Sequence, residues 1–319
     1  PSPVAARLLR QAARRGLTGG TPWQLSRLED RRIQSILNSV TGVDAVVQVG
    51  DLGSTRVPFY LYQDLSYAIH GAAAASPGGT GAPQLGPRVQ ARREQRQQRL
   101  YDLASGVLVM GRWFADELVR SGMSADKIHV VGAGWNVGVP ARLRRPDPDR
   151  LRLLFLGRDF VRKAGDDVVE AVLWLRANGA HHTLTVAGPA EWPYEGPVPA
   201  GLTFVGPASR ADVATLIDSH DVLLMPSRFE AFGIAIVEAL VAGMPVVARR
   251  AYAMPDLVPE GCGVLVEEAE AGQIASAIRI ISGDPEAWQR CFVTAPSVKH
   301  QRSWDAVASA VTYAIEATT

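Results

Sequence analysis

The stretch Pro226-Ser-Arg-Phe-Glu-Ala-Phe-Gly-Ile-Ala-Ile-Val-Glu-Ala-Leu-Val-Ala-Gly-Met-Pro-Val-Val-Ala248 decides how this chain is read. The apolar run 221–225 leads into it as a strand. A Pro-Ser turn and a bend at Gly233 follow, and an apolar helix then runs to Gly243, which reads as its C-cap. A second strand at 245–248 completes a βαβ unit. Open parallel sheets bind ligands at the carboxyl ends of their strands, which is where Glu230 falls. Glu230 and Glu238 stand eight positions apart. On a helix that spacing is roughly 12 Å along the axis. Glycosidase acid/base pairs sit closer, about 5–9.5 Å apart. The pair therefore reads as two hydroxyl-gripping groups at the ends of an elongated polar ligand, each able to accept charge-assisted hydrogen bonds from a diol. Either glutamate alone would read as a helix cap or a surface residue; both together, in this Gly/Pro frame, read as a site.

Working outward, the second half alternates strand and helix patterns. Strands are expected at 151–157, 183–188, 203–206, 221–225, 245–248 and 263–266, each a short apolar run punctuated by Gly or Pro. Helices are expected at 164–177, 210–219, 233–241 and 271–282, with a last one at 304–316. Such alternation implies a parallel sheet with helices on both faces. The first half is less regular. Residues 45–49, 59–65, 106–110 and 127–132 read as strands, and 23–38 and 90–105 as helices. The Ala/Gly/Pro-rich segment 71–87 reads as a loop and 1–16 as a basic helix. Three prolines and a charge cluster in 139–149 mark a linker, with a hinge that would let a cleft close.

Several of these segments resemble the retaining glycosyltransferases of family 4, enzymes of the GT-B architecture. Glu230-Ala-Phe-Gly-Ile-Ala-Ile-Val-Glu238 looks like their E-x7-E signature. Phe155-Leu-Gly-Arg-Asp-Phe-Val-Arg-Lys-Ala-Gly165 is similar to their donor-domain first strand and loop, with Ala164 where a Gly often follows the Lys. Leu202-Thr-Phe-Val-Gly-Pro207, Met254-Pro-Asp-Leu-Val258 and Ser303-Trp304 agree in order and interval, so the resemblance covers residues about 105 to 305. It implies an α/β fold of two Rossmann-like domains facing a cleft (GT-B), the first lacking its first strand. The divisions it implies are an acceptor-side domain at 1–140, a linker at 141–150, a nucleotide-sugar donor domain at 151–302, and a C-terminal helix at 303–319 that packs back on the first domain.

The implied function is transfer of a hexose-type sugar from a nucleotide-diphosphate sugar to a hydroxyl acceptor, with retention. Breaking the anomeric bond builds negative charge on the leaving diphosphate, which cations or helix N-termini must meet. The resemblance assigns this to Arg158, a planar fork, and Lys163, a point charge, framed by Gly157. It gives Glu230 the donor-sugar hydroxyls and Glu238 the ribose diol. Backbone N–H groups at Phe232 and Gly233 suit anions or hydroxyls. Pro207 and Ala208 fall near where the family holds the base. Asp64, with His70 as second candidate, stands where many members have an acceptor-side His; a loop Asp capping the next helix is the alternative. A non-catalytic nucleotide-sugar-binding module, or a GT-B-shaped epimerase or phosphorylase, are competing readings. A pyridoxal-phosphate phosphorylase needs a Lys in the C-terminal half, and past Lys163 only Lys299 exists.

Composition bounds the rest. Net charge is +1, so nothing demands nucleic acid. Cys262 and Cys291 are too few for a disulfide framework and fit a reducing cytosol. No apolar run is long enough to span a membrane, and no signal peptide is visible. The Arg-rich run 88–99 would meet an anionic acceptor or a membrane surface weakly. No metal and no cofactor is expected: Asp147-Pro-Asp149 lies in the linker, and His181 and His182 point to opposite faces of a strand start.

Overall fold

The computed structural model describes residues 27–75 and 85–318. Two parallel sheets face each other. The first comprises β1 (Val46–Val49), β2 (Phe59–Gln63), β3 (Gly106–Val109) and β4 (Ile128–Val130), in that spatial order. The helices of this half are α1 (Arg27–Leu37), α2 (Tyr67–Ala75), α3 (Pro87–Leu103) and α4 (Arg112–Arg120). The second sheet comprises β5 (Arg152–Leu156), β6 (Thr183–Ala187), β7 (Leu202–Gly206), β8 (Val222–Met225), β9 (Val246–Arg249) and β10 (Gly263–Val266). Its helices are α5 (Gly165–Ala177), α6 (Arg210–Ser219), α7 (Ile234–Val241), α8 (Ala271–Ser282), α9 (Ala287–Gln301) and α10 (Trp304–Glu316).

The second sheet has the order β10-β9-β8-β5-β6-β7, the doubly wound pattern whose strand order reverses between β5 and β8. The strands that meet there are nearly all buried apolar side chains: Leu153, Leu154 and Phe155 on β5, and Val222, Leu223 and Leu224 on β8. A parallel sheet covered on both faces requires this pattern. Asp221 clamps the two strands at their amino ends. Its buried carboxylate takes Arg152 Nη2 at 2.7 Å and Nε at 3.0 Å. The crevice at their carboxyl ends is the place where such sheets hold ligands.

α10 returns to the first sheet, where Val307 and Ala314 pack with Tyr60, Tyr62 and Leu108. The chain thus crosses between the halves twice, near Gly132–Gly134 and near Arg302–Trp304. The crossings touch: Trp135 N donates to Arg302 O at 3.0 Å. A Cβ on Gly134 would sit 2.6 Å from the Trp304 ring, so only glycine allows this approach.

Several expectations are corrected. Segment 141–150, expected as a linker, is pinned to the second half by a side chain. Arg144 is buried and donates to Ile217 O, His220 O and Ala242 O at 2.6–2.9 Å, satisfying carbonyls at the ends of α6 and α7. Val137 and Val139 already belong to the second core. Part of the expected loop is helical: Ala is the best helix former, which carries α2 through Ala75 despite Gly71. Pro87 opens α3 at a position that needs no N–H. Helices α4 and α9 were not anticipated; Pro296 lies inside α9 and hides its period. The basic helix expected at 1–16, residues 76–84 and the start of the helix expected at 23–38 lie outside the described residues.

Candidate functional site

Two loops meet at the switch point. One follows β5 and carries Gly157 to Ala164; the other follows β8 and carries Pro226 to Gly233. They are cross-linked along their length. Arg228 N donates to Arg162 O at 2.9 Å, and Arg162 Nη1 to Phe229 O at 2.9 Å. The Arg228 guanidinium holds Asp166 at 2.7 Å and also pairs with Asp167, both in the first turn of α5. At the centre Lys163 Nζ forms an ion pair with Glu230 Oε2. Arg162 Nη1 lies 3.9 Å from the same oxygen, and buried Ser227 Oγ lies 3.4 Å from it. Both Glu230 and Lys163 are mostly buried, where a charge persists only with a partner.

Glycines make this convergence possible. Gly188, at the end of β6, has φ +119°, and a Cβ there would lie 2.5 Å from the Gly157 backbone. Gly233 has φ +101° and opens α7. Because the chain bends there, only the second half of the interval between the glutamates is helical, and the 12 Å axial estimate does not apply to it. Ala164, the departure noted in the sequence, sits in the left-handed region at φ 58° before α5.

The other expected residues fall as follows. Arg158 is exposed and makes no ion pair or side-chain hydrogen bond among the described residues. Phe232 is buried, with the Arg302 guanidinium 5.9 Å above its ring. Glu238 is buried on α7. Its Oε1 accepts from Asn136 N and Val137 N, each at 3.1 Å, while Oε2 has no hydrogen-bond partner among the described residues. Burial raises its pKa; the two amides and Arg210 pull the other way. Glu238 is therefore tied to the crossing segment by one oxygen. Pro207 is exposed and Ala208 packs on the core, while the next residue, Ser209, caps α6 with Asp212. Of this pair only Pro207 presents a surface.

Asp64 lies at the carboxyl end of β2 in the first half. Burial raises its pKa, its own backbone amide pulls the other way, and the charge on Glu230 raises it further. Asp64 in turn, after burial, helps push Tyr62 to about 12. His70 lines the same cavity, with Nδ1 buried and unpartnered. His182 is structural: its Nδ1 accepts from Leu151 N at 3.2 Å. Among the described residues, no group of three His, Cys, Asp or Glu is placed to hold a metal ion.

The rims of the cleft also touch. The Trp113 ring meets Phe229 and Tyr252 edge-on, with centroids 6.2 and 5.4 Å away. Asp256 Oδ2 accepts from Trp113 N at 3.2 Å, so the second half caps α4 of the first. The Arg-rich helix is not a free basic face. Arg93 holds Asp30 at 2.9 Å, Arg92 holds it at 3.1 Å, and Arg96 reaches Asp51 at 3.5 Å.

Sequence reasoning missed Arg162, Ser227, Arg228, Gly188 and Arg144. Gly188 carried a signal, a glycine ending a strand at the sheet's centre. The arginines carried none, because their partners are up to 98 positions away.

Two parallel Rossmann-like sheets across a cleft, with charged loops at the second sheet's switch point, define the GT-B fold. Residues 150–284 match the family model described as glycosyl transferases group 1. A D-inositol 3-phosphate glycosyltransferase of Mycobacterium bovis is 30% identical over 255 residues, which are 72% of this chain and 51% of that protein. A glycogen synthase of Mycobacterium tuberculosis is 29% identical over 181 residues, 54% of this chain and 41% of that protein. The chain thus spans about half the length, or less, of these curated relatives. Among solved structures, Anabaena HepE in complex with UDP has a TM-score of 0.69 at 18% identity, covering 92% of this chain and 83% of that one. The sucrose-phosphate synthase of Thermosynechococcus elongatus has a TM-score of 0.65 at 19% identity, covering 85% and 72%. At these identities the structural likeness speaks for the fold alone.

Proposed function

We propose that this chain is a retaining glycosyltransferase of family 4, moving a hexose-type sugar from a nucleotide-diphosphate sugar to a hydroxyl acceptor. The observation that carries the reading is the Lys163–Glu230 pair at the β5/β8 switch point, flanked by the free Arg158 and by the open oxygen of Glu238. In the transfer, the bond from the anomeric carbon to the diphosphate oxygen breaks, and the nucleoside diphosphate leaves with the electron pair. The acceptor oxygen forms the new bond on the same face, and its proton passes to a diphosphate oxygen. Lys163 and Arg158 meet the charge that builds on the leaving group. Glu230, released from Lys163, grips the sugar hydroxyls, and Glu238 Oε2 takes the ribose.

Supporting this, two curated relatives are named for a donor or an acceptor: a GDP-mannose-dependent mannosyltransferase and the D-inositol 3-phosphate glycosyltransferase. HepE was solved with UDP and with UDP-glucose. No divalent ion is needed in this scheme, since the two cations do its work. Both cysteines are free and buried, which suits a reducing cytoplasm. Among the described residues no helix is long and apolar enough to cross a membrane.

The test incubates the protein with a panel of nucleotide sugars and hydroxyl acceptors in the presence of a chelator, and reads glycosylated product and its anomeric configuration by NMR. Retained configuration with product insensitive to chelation is the expected result. Nucleotide-sugar binding with neither transfer nor hydrolysis would instead fit the non-catalytic module.

A further inference from the structure

A cavity of about 490 Å³ opens at the carboxyl ends of β1, β2 and β3, and its lining residue Asp64 feels the charge of Glu230. Its polar lining includes Asp51, Asp64, Gln63, Gln97, Tyr67 and His70, over an apolar floor that includes Val49, Leu65, Leu85 and Met110. We infer that this cavity holds the acceptor, and that the acceptor is an uncharged, hydroxyl-rich molecule such as a sugar or polyol, not a phosphate-bearing one. The inference rests on the glycosyltransferase reading above and adds the acceptor's chemical class.

The charge inventory carries it. Among the described residues, two carboxylates line the cavity and no Lys or Arg does. The nearest cations are already committed. Arg96 holds Asp51 and the carbonyl of Asp51 at 2.6 Å, and Arg93, which does not line the cavity, holds Asp30. Asp64 has no ion-pair partner among the described residues and already feels the Glu230 charge. An anion placed beside Asp64 would meet repulsion in a half-buried site, and Asp64 has no ion-pair partner among the described residues to offset it.

The neutral groups fit the opposite chemistry. Gln97 Oε1 accepts from Tyr67 N at 2.8 Å, and Gln63 Oε1 accepts from Tyr101 Oη at 2.8 Å. Both amide Nε2 groups therefore remain as donors fixed in direction, and the Asp64 carboxylate remains as an acceptor. A polyol supplies donors and acceptors in that mixture, and its C–H faces suit the apolar floor.

The experiment pairs uncharged probes with their phosphate monoesters: glucose with glucose 6-phosphate, myo-inositol with inositol 1-phosphate, and glycerol with glycerol 3-phosphate. Transfer from the best nucleotide sugar is read for each, along with nucleotide binding and acceptor-free hydrolysis. The expected result is at least tenfold higher kcat/KM for the best uncharged probe than for any phosphate ester. Asp51→Asn frees Arg96 and should narrow that ratio at least threefold. A phosphate ester used as well as or better than its uncharged partner overturns the inference. So does an absence of transfer to every uncharged probe while nucleotide binding and hydrolysis persist. Loss of nucleotide binding and hydrolysis together would instead overturn the glycosyltransferase reading beneath it.

Discussion

The two ends of the cleft are built differently. At the second sheet's switch point nearly every charged group is engaged: Lys163 with Glu230, Arg162 with Asp159 and Phe229 O, and Arg228 with Asp166 and Asp167. In the first sheet's cavity, Asp64 has no ion-pair partner, and His70 Nδ1 and two amide Nε2 groups have no hydrogen-bond partner, among the described residues. The first arrangement is rigid and charged, suited to one chemical group held the same way each time. The second leaves polar groups available, which suits a ligand that supplies many weak contacts. A diphosphate demands the former, because preorganised charge acts without reorganisation in the transition state.

Breaking the rigid end should give the largest effect. Glu230→Ala is expected to lower kcat by about 100-fold or more, the scale of a lost transition-state contact. It also releases Lys163, so free nucleoside diphosphate should bind as tightly as in the parent or tighter. A parallel fall in nucleotide affinity, measured by calorimetry, would contradict this division of labour. Its thermal destabilisation should stay below the about 3–5 kcal/mol of a fully buried pair, since both side chains keep some solvent contact.

Glu238 separates binding from architecture. Glu238→Ala should weaken nucleotide binding by about 1.5–3 kcal/mol, the range for a hydrogen bond to a charged group. It also leaves the Asn136 and Val137 amides unpaired. Glu238→Gln keeps an acceptor for those amides, so it should recover thermal stability but not affinity. Equal affinity in the Gln variant and the parent would remove the ribose role.

At the open end the expected effect concerns stability and its pH dependence. Asp64 has a raised pKa, chiefly from burial. Between 3.8 and that raised value the folded chain holds a proton the unfolded chain has released, so stability falls as pH rises through this window. At neutral pH the buried carboxylate is a standing cost. Asp64→Asn should therefore raise the melting temperature at neutral pH while lowering turnover, and the gain should vanish below pH 3.8. Thermal scans across pH would check both halves; a gain that persists in acid would show that charge is not the cause.

The smallest effect belongs to Ala164. Its left-handed backbone is disfavoured by roughly 1–2 kcal/mol for a residue with a Cβ. Ala164→Gly relieves that but frees the unfolded chain and removes a buried methyl. A net stabilisation within about 1 kcal/mol is expected by denaturant titration.

How far the chain was legible follows the same division. The second sheet could be read from sequence because each of its strands is a short apolar run with Gly or Pro at or near one end, a local signal. Glu230 stood out beside one of those runs, and the resemblance singled out Lys163 and Gly157 beside another; the structure brings Lys163 and Glu230 together. The cross-links between the loops could not be found: Arg162 reaches Phe229 across 67 positions, and nothing local to either announces it. α2 was misread because an Ala/Gly run suits both a loop and a helix until packing decides. Arg144 was hidden inside a proline-rich segment whose composition argued for a free linker, although its three carbonyl partners fix it in place. The Arg-rich helix looked like a surface for anions because its acidic partners, Asp30 and Asp51, lie in other elements.

The central claim is that the β5/β8 switch point holds the diphosphate of the donor through Lys163. Calorimetric titration of UDP, GDP and ADP into the parent protein and Lys163→Ala tests it most directly. At least one nucleotide should bind the parent, and that affinity should fall tenfold or more in the variant while its fold is retained. A nucleotide that binds both proteins equally would place the diphosphate elsewhere and contradict the account.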